Sequence, residues 1–344
     1  MDVSGSMQGR KLQQLQEAMN HILGELGPGD FFNILEFSYG VTITDVVLRS
    51  NSLVLKTSGD VPLMWYNPQA QQIKPVDLPE MVKAFPATPE LIAKARKSVN
   101  EMTANGGTNI YDSVKAAVGV AKSAISYDGT PGKLPDPLVI FLTDGDATVG
   151  ETNRDKILSL ITDKTQIPMF TLAFGSDADF PFLKRLSLRT GAFARKIYEA
   201  SDAALQLRDF YRQIASPLLS NVNFKYSENQ IDQLSITKKN FNLLFSGTEL
   251  VVCGKLLDAL ANLSLNGEVK GMSVTGELKF CLTESSTGSS TQASGQDRFL
   301  ERLWAFLSIR QLLEKFDAER ADDETLILVR DTSDVIGGCG QGSR

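Results

Sequence analysis

Two continuous apolar runs, PLVIFLT (137–143) and PMFTLAF (168–174), place the strongest constraint on the fold of this chain. A strand without a polar face needs cover on both sides, which is the situation of strands inside a parallel sheet. Apolar residues recur with helical spacing near 110–126, 152–165 and 179–190, around and between the two runs. Strands that alternate with helices of this size form right-handed βαβ units. The sequence therefore predicts an α/β fold with a doubly wound, mostly parallel sheet.

The pattern changes along the chain, and these changes predict the domain organisation. A helical pattern at 8–26 and apolar strand patterns at 31–38 and 41–48 belong to the same α/β domain, which we assign to 1–217. Beyond it, short strand patterns are separated by turn residues. The remaining expected segments are a β-rich region at 218–282, a flexible polar linker at 283–297, an amphipathic helix at 298–320 and a disordered tail at 321–344. The apolar stripe of that helix, which we expect to pack in the core, is Phe299, Leu303, Phe306, Ile309 and Leu313.

Residues 51–88 differ from the rest of the α/β domain because they are rich in proline. Six of the thirteen prolines lie between Pro62 and Pro89. Proline disfavours both helix interiors and central strands. We interpret the stretch as an inserted surface loop; because 63–66 is apolar and aromatic, a partner-binding loop is the alternative.

Composition argues against several classes of protein. The net charge is −6 and no dense cluster of Lys and Arg occurs, which argues against nucleic-acid binding. The sequence contains no run of about 18 apolar residues, which is the length that a membrane-spanning helix needs. With a single histidine, His21, and no GxSxG motif, the chain lacks the usual residues of a hydrolase triad. Cys253 and Cys281 lie in apolar, strand-like stretches and form either a disulfide or two buried free thiols.

Oxygen-bearing side chains gather at three predicted strand-to-helix junctions. Asp2, Ser4 and Ser6 directly precede the first helical pattern. Thr108 lies in a Gly-rich loop, and Asp144 directly follows PLVIFLT. In an open α/β sheet, ligands bind beyond the carboxyl ends of the strands. Because alternate side chains of an extended turn point the same way, the DxSxS spacing can direct three of these groups to one point.

Three hydroxyls and two carboxylates, without Cys or His, are the ligands of a hard divalent cation. Mg²⁺ is the first choice, with Mn²⁺ or Ca²⁺ as alternatives. If Ser4, Ser6 and Thr108 bind the ion directly and the carboxylates act through water, the ion keeps an open position and an excess of positive charge. A protein partner's Asp or Glu would then complete the coordination. The pattern therefore predicts an adhesion site and not an enzyme, since no general base stands near.

The motifs DVSGSM, GGTN and FLTDGD, in this order, resemble the metal-ion-dependent adhesion site of a von Willebrand factor A domain. FLTDGDATVGETNRDKIL, FSGTELVVCGKL and RLWAFLSIRQLLEKF are similar to the inter-alpha-trypsin inhibitor heavy chains, and this resemblance covers most of 2–316. It implies a secreted protein that attaches to hyaluronan and stabilises extracellular matrix. It also implies a partnership with bikunin, which carries the protease inhibition of this family. In a secreted protein Asn262, in the sequence Asn-Leu-Ser, is an expected glycosylation site.

The sequence departs from this family in three ways. Heavy chains have an apolar strand directly before DVSGS, whereas only Met1 precedes Asp2 here. Because loss of a central strand would cost several kcal/mol of a margin of about 5–15 kcal/mol, we expect a fragment, incomplete gene model or short isoform of low stability. The stretches on either side of residues 51–88 are adjacent in the family, but here these residues lie between them. The DPHFI-type motif that carries the family's hyaluronan link does not occur, so no residue is assigned to that link.

Two other functions stay open at this point. One is an intracellular von Willebrand A protein that uses the site for assembly, which a full-length product without a signal peptide would support. The other is a Mg²⁺-dependent phosphotransferase of the haloacid dehalogenase type, whose first strand also ends in an acid. That type requires DxDx[TV], and Ser4 stands where the second Asp belongs.

Overall fold

The structure is a computed structural model that describes most of the chain. The described residues are 1–44, 53–56, 64–67, 72–75, 82–123, 125–126, 136–162, 165, 167–199, 202–215, 217–257, 266–273, 275–282 and 296–319. The chain divides into two compact units, Met1–Ala215 and Ser216–Arg344.

Strands and helices alternate through the first unit. Its strands are β1 (Phe31–Phe32), β2 (Leu35–Phe37), β3 (Val41–Ile43), β4 (Leu53–Lys56), β5 (Met64–Asn67), β6 (Gln72–Pro75), β7 (Lys83–Pro86), β8 (Ile125–Ser126), β9 (Val139–Thr143), β10 (Met169–Phe174) and β11 (Ala194–Ile197). Its helices are α1 (Arg10–Glu25), α2 (Pro89–Asn100), α3 (Ile110–Ser123), α4 (Arg154–Ser159), α5 (Phe180–Arg189) and α6 (Ala203–Ile214).

The two continuous apolar runs form neighbouring parallel strands. β9, β10 and β11 pair in parallel in the order β11–β10–β9. All six residues of β10 are buried, because helices cover a strand that has a neighbour on each side. The predicted α/β fold with a parallel sheet is confirmed.

The first three residues connect this parallel sheet to β2. The N–H of Asp2 donates to the carbonyl of Leu142 on β9 over 3.0 Å, and Asp2 pairs with Phe37 of β2 in a parallel bridge. The N–H of Phe37 donates to Met1 over 3.0 Å, and the N–H of Val3 donates to Phe37 over 2.9 Å. Met1 to Val3 therefore lie between β2 and β9, and the residues that follow them emerge beside the end of β9.

The helices given above for the first unit pack in two groups. α1 contacts α2 and α6, whereas α4 contacts α3 and α5. α3 also packs on β2, β3 and β9, and α5 packs on β10. Beneath the second group the rings of Phe37 and Phe141 stack with their centroids 5.1 Å apart, which ties β2 to β9 in the core. Two helical layers on one mostly parallel sheet are the doubly wound architecture.

The described parts of the Pro-rich stretch form strands, so the interpretation of the stretch as a loop was wrong for these residues. β4, β5 and β6 continue an antiparallel sheet in the order β2–β3–β4–β5–β6. Pro75 is the last residue of β6, which stands at the end of this strand order, and edge strands are where a sheet tolerates proline. The predicted partner-binding role of 63–66 stays a prediction, because the side chains there lie outside the described part of the structure.

The second unit is an antiparallel sheet followed by a long helix. Its elements are β12 (Pro217–Tyr226), β13 (Asn240–Phe245), β14 (Gly267–Ser273), β15 (Gly276–Leu282) and α7 (Gln296–Glu319). The strand order is β13–β12–β14–β15. The apolar stretch ELVVCGKL (249–256), which belongs to the predicted β-rich region, contributes an isolated bridge between Leu256 and Ile231.

The apolar stripe of α7, which was expected to pack in the core, is only partly buried. Phe299, Phe306 and Leu313 are exposed by 66%, 57% and 44%, whereas Ala305 and Leu307 are buried. Apolar residues lie on more than one side of this helix, so helical spacing alone did not select the face that packs. The stripe prediction was therefore wrong for the three exposed residues.

The two described cysteines are free thiols, and the alternative of a disulfide is wrong for this structure. Cys281 lies on β15 opposite Glu268 of β14 and is exposed. Cys253 is partly buried, and its N–H donates to the hydroxyl of Thr237 over 2.9 Å. The alternative of two buried thiols fails for Cys281, because the residue lies on an exposed stretch of its hairpin.

Three expectations concern residues outside the described ranges. These are the glycosylation site Asn262, nearly all of the linker at 283–297 and the tail at 321–344. Within the described residues, no helix has both the length and the apolar character needed to cross a bilayer.

Candidate metal site at the strand-to-helix junctions

Three segments that are distant in sequence meet at one edge of the sheet. The loop after Met1–Val3 leads into α1, the loop containing Thr108 leads into α3, and Asp144 directly follows β9. The hydroxyl of Ser6 donates to Oδ1 of Asp144 over 2.7 Å, although 138 residues separate the two. The hydroxyls of Ser4 and Ser6 lie 2.9 Å apart. We call Asp2, Ser4, Ser6, Thr108 and Asp144 together the junction site.

Asp2 is fully buried and held from two sides. Its Oδ1 accepts from the N–H of Ser4 over 2.8 Å, and its Oδ2 accepts from the hydroxyl of Thr143 over 2.5 Å. Burial raises the pKa of Asp2, and the charge of Asp144 adds to this, while the hydrogen bonds from Thr143 and Ser4 oppose it. Both of its oxygens thus have a donor within the protein, which fixes the orientation of the carboxylate.

Thr108 faces the same space as Ser6. The hydroxyl oxygens of Ser6 and Thr108 lie 3.8 and 3.9 Å from the point where a Cβ of Gly145 would stand. The backbone of Thr108 is anchored by Thr148, whose hydroxyl accepts from the N–H of Thr108 over 2.8 Å and whose N–H donates to its carbonyl over 2.9 Å. The structure therefore brings all five residues singled out from the sequence to one place.

The loops can approach because two glycines face each other. The N–H of Gly5 donates to the carbonyl of Gly106 over 2.9 Å, and a Cβ on Gly5 would stand 3.3 Å from that oxygen. Gly106 has φ of +79°, and a Cβ there would come within 2.6 Å of the ring of Tyr39. A side chain at Gly106 would be strained by backbone conformation and by this contact.

Lys11 belongs to the site, although the sequence motifs did not identify it. Its ammonium donates to Oδ2 of Asp144 over 2.9 Å and lies 3.3 Å from Oε1 of Glu199. Burial lowers the pKa of Lys11, but hydrogen bonds to and attraction by Asp144 and Glu199 outweigh it, so the pKa is raised. A signal was present in the sequence, because a lysine in the first turn of α1 opposes the helix dipole.

Thr143 and Tyr39 are two further residues that the motifs did not identify. Thr143 is the last residue of β9 and donates to Asp2, a role that its place in a continuous apolar run conceals. Tyr39 is 66% exposed and its ring lies over Gly106, at the rim of the junction site. An aromatic residue between β2 and β3 was a visible but unspecific signal.

The chemistry of these side chains fits a hard divalent cation. With both carboxylates ionised, Asp2 and Asp144 carry two buried negative charges, and Lys11, which pairs with Asp144, is shared with Glu199. In the described part of the chain, no group of three or more His, Cys, Asp or Glu side chains could hold a metal ion. An ion bound there would therefore need hydroxyl ligands, which Ser4, Ser6 and Thr108 supply.

A protein-family comparison matches the first unit. The family is described as von Willebrand factor type A domain, and the match covers residues 1–47 and 81–195. The residues between the two matched parts contain β4, β5 and β6. The fold of one solved structure, a von Willebrand factor type A protein from Catenulispora acidiphila, is similar with a TM-score of 0.53, 15% identity and coverage of 98% of this chain and 78% of that chain.

Comparison with curated proteins finds similarity over nearly the whole chain. Human inter-alpha-trypsin inhibitor heavy chain H4 is 36% identical over 333 residues, which are 95% of this chain and 32% of that protein. The pig H4 chain is 37% identical over 319 residues, covering 91% and 30%. Human heavy chain H3 is 35% identical over 323 residues, covering 92% and 32%. The chain thus spans about a third of the length of these relatives.

Proposed function

The chain belongs to the inter-alpha-trypsin inhibitor heavy chain family, and from this premise we propose that it binds a protein partner through a divalent cation at the junction site. One observation carries the proposal. The hydroxyl of Ser6 meets the carboxylate of Asp144 at 2.7 Å, with Ser4 and Thr108 beside them. Convergence of hydroxyls and carboxylates from three loops is the donor arrangement that hard cations use.

The roles of the side chains follow from their charges and hydrogen bonds. Ser4, Ser6 and Thr108 would hold the ion through neutral oxygens. Asp2 is committed to Ser4 and Thr143 and would orient the first loop. Asp144 would supply the charge that attracts the ion. The cation, when bound, supplies a positive centre with a free coordination position, and a partner's Asp or Glu fits that position.

We infer Mg²⁺ as the resident ion, with Mn²⁺ or Ca²⁺ as alternatives. Hydroxyl and carboxylate oxygens suit all three, whereas zinc and copper favour the nitrogen and sulfur ligands that are lacking among the described residues of the site. Calorimetric titration with each metal separates these ions directly.

Titration of Mg²⁺ into the purified chain tests the metal site. We expect the wild type to bind the ion and Asp144→Ala to bind it about tenfold or more weakly, because loss of a carboxylate beside a metal ion has effects of this size. Asp146→Ala is the matched control, since Asp146 is a nearby acid, 58% exposed, that pairs with Arg154. Equal Mg²⁺ affinity in wild type and Asp144→Ala would overturn the site.

A binding role is favoured over phosphotransfer because Asp2 is inaccessible. The nucleophilic acid of a haloacid dehalogenase must reach a phosphorus atom, but Asp2 is 0% exposed and both of its oxygens accept hydrogen bonds. Steady hydrolysis of a generic phosphate ester that is lost in Asp2→Asn would contradict this choice.

At the level of the whole protein, family membership supports an extracellular role. We propose that the full-length protein is secreted, contributes to hyaluronan-containing matrix and can associate with bikunin. In this setting Asn262 is the proposed glycosylation site. Recovery of the glycosylated protein from culture medium supports this proposal, whereas confinement to the cytosol favours an intracellular scaffold.

A further inference from the structure

We propose that Lys11 is a tethered cation that competes with the divalent ion for Asp144, and that Glu199 receives Lys11 when the ion binds. The inference rests on the proposed metal site and adds a device that sets its affinity. Lys11 Nζ lies 2.9 Å from Asp144 and 3.3 Å from Glu199, so it has two carboxylates within reach.

The hydrogen bonds of Asp144 show why Lys11 must give way. Oδ1 of Asp144 accepts from Ser6, and Oδ2 accepts from Lys11. A hydroxyl can rotate its proton away and offer a lone pair to an ion, so Ser6 can stay in place. An ammonium has no lone pair and can only repel a cation. For Asp144 to serve the ion through Oδ2, Lys11 must leave that oxygen.

Burial makes this competition strong. The side chain of Asp144 is 0% exposed and that of Lys11 is 15% exposed, so water screens their attraction little. Without an ion, Lys11 balances the buried charge of Asp144 and stabilises the site. With an ion present, the same charge opposes binding.

Glu199 is suited to receive the ammonium. Glu199 lies two residues after β11, and its side chain is 38% exposed. Its described contact with the site is with Lys11, and no described contact joins it to the hydroxyls of the junction site. Gly175 makes room for it, because a Cβ at Gly175 would stand 2.1 Å from Oε1 of Glu199. A short shift of Lys11 from Asp144 to Glu199 would keep its charge paired.

Opposite effects of two single substitutions test the proposal. In calorimetric titrations with Mg²⁺ alone, we expect Lys11→Met to bind about tenfold more tightly than wild type, since removal of an adjacent like charge is worth at least this factor. We expect Glu199→Gln to bind about threefold or more weakly, because Lys11 then keeps Asp144 as its sole carboxylate. The double variant should match Lys11→Met, because Glu199 acts only through Lys11.

Stability without metal provides a second readout. In EDTA, Lys11→Met should melt at a lower temperature than wild type, because Asp144 is left buried without a counter-charge. Its Mg²⁺-induced rise in melting temperature should exceed that of wild type. Lys94→Met is the control, since Lys94 pairs with Glu90 at 2.7 Å on the surface of α2, and it should leave metal affinity unchanged.

The outcomes separate this inference from the proposed function. If wild type binds Mg²⁺ and Lys11→Met binds it no more tightly, the competition is overturned and the metal site stands. If only Lys11→Met binds Mg²⁺, the competition is supported and the metal-dependent function of the wild type is rejected. Binding in neither protein overturns both. Should Lys11→Met not fold, an unchanged affinity in Glu199→Gln would by itself reject the exchange.

Discussion

The phenol of Tyr211, on α6, makes the folding stability of the protein fall as the pH rises in the alkaline range. Tyr211 is 7% exposed, and burial raises its pKa to about 12, with the charges of Asp30 and Glu25 adding to the effect. In the unfolded chain the pKa of tyrosine is about 10. Between about pH 10 and pH 12 the unfolded chain therefore releases a proton that the folded protein keeps. Folding stability is lost with rising pH in this window, by about 1.4 kcal/mol per pH unit from this group.

Tyr211→Phe should remove this contribution. Urea unfolding at pH 9 and pH 11 measures it, and we expect the variant to lose about 1 kcal/mol less stability than wild type between the two values. Tyr198→Phe is the control, since Tyr198 is 63% exposed, and it should lose as much as wild type. An identical loss in wild type and Tyr211→Phe would show that the phenol titrates normally.

At the scale of elements, hydroxyls on α5 hold the helix against the buried strand β10. The N–H of Thr171 donates to the hydroxyl of Ser187 over 3.0 Å, and the hydroxyl of Thr171 donates to the carbonyl of Leu183 over 2.9 Å. Directly after α5, the hydroxyl of Thr190 accepts from the N–H of Met169 over 2.9 Å. Backbone N–H groups of β10 thus donate to hydroxyls on and directly after α5. These hydrogen bonds fix the orientation of α5 on the strand as well as holding it there.

Ser187→Ala should destabilise this pairing of helix and strand. The substitution leaves the buried N–H of Thr171 without its acceptor, which costs about 1–3 kcal/mol of unfolding free energy. Ser159→Ala is the control on α4, because Ser159 is an exposed helical serine whose hydroxyl donates to the carbonyl of Lys156 and holds no strand. We expect a change within about 0.5 kcal/mol there. Equal changes in both variants, measured by urea unfolding, would contradict the assigned role.

At the scale of the whole molecule, the two compact units should respond differently to metal. All residues of the junction site lie in Met1–Ala215. Mg²⁺ at about a hundred times its dissociation constant stabilises the unit that binds it by about 2.7 kcal/mol. For a unit of this length the transition should rise by roughly 5–10 °C. Differential scanning calorimetry in EDTA and in Mg²⁺ should thus show one transition that moves and one that does not.

At the same Mg²⁺ concentration, Asp144→Ala should reduce the calorimetric shift to about half or less, because a tenfold weaker site is stabilised by about 1.4 kcal/mol, and it should leave the second transition where it is. A shift of both transitions by the same amount would instead indicate a general effect of the salt, and sodium chloride at matched ionic strength controls for it.

Much of the first unit could be predicted from sequence, because its signals are local. β10 has no polar face, so it could only be a covered strand, and α1 and α3 follow helical spacing. Prediction failed where several arrangements suit one pattern. The prolines of 51–88 are compatible with edge strands as well as with loops, and the apolar residues of α7 offer more than one face.

The sequence by itself determined the hydroxyls and carboxylates of the junction site, since DxSxS, the Gly-rich loop and the acid after β9 each adjoin an element that local patterns identify. Only the tertiary structure decided that Lys11 pairs with Asp144, 133 residues away, and that Glu199 lies within reach of the same ammonium. Such a pair depends on where α1 begins and where β9 and β11 end in space. Those positions are set by packing of the whole sheet, and a pattern of neighbouring residues does not contain them.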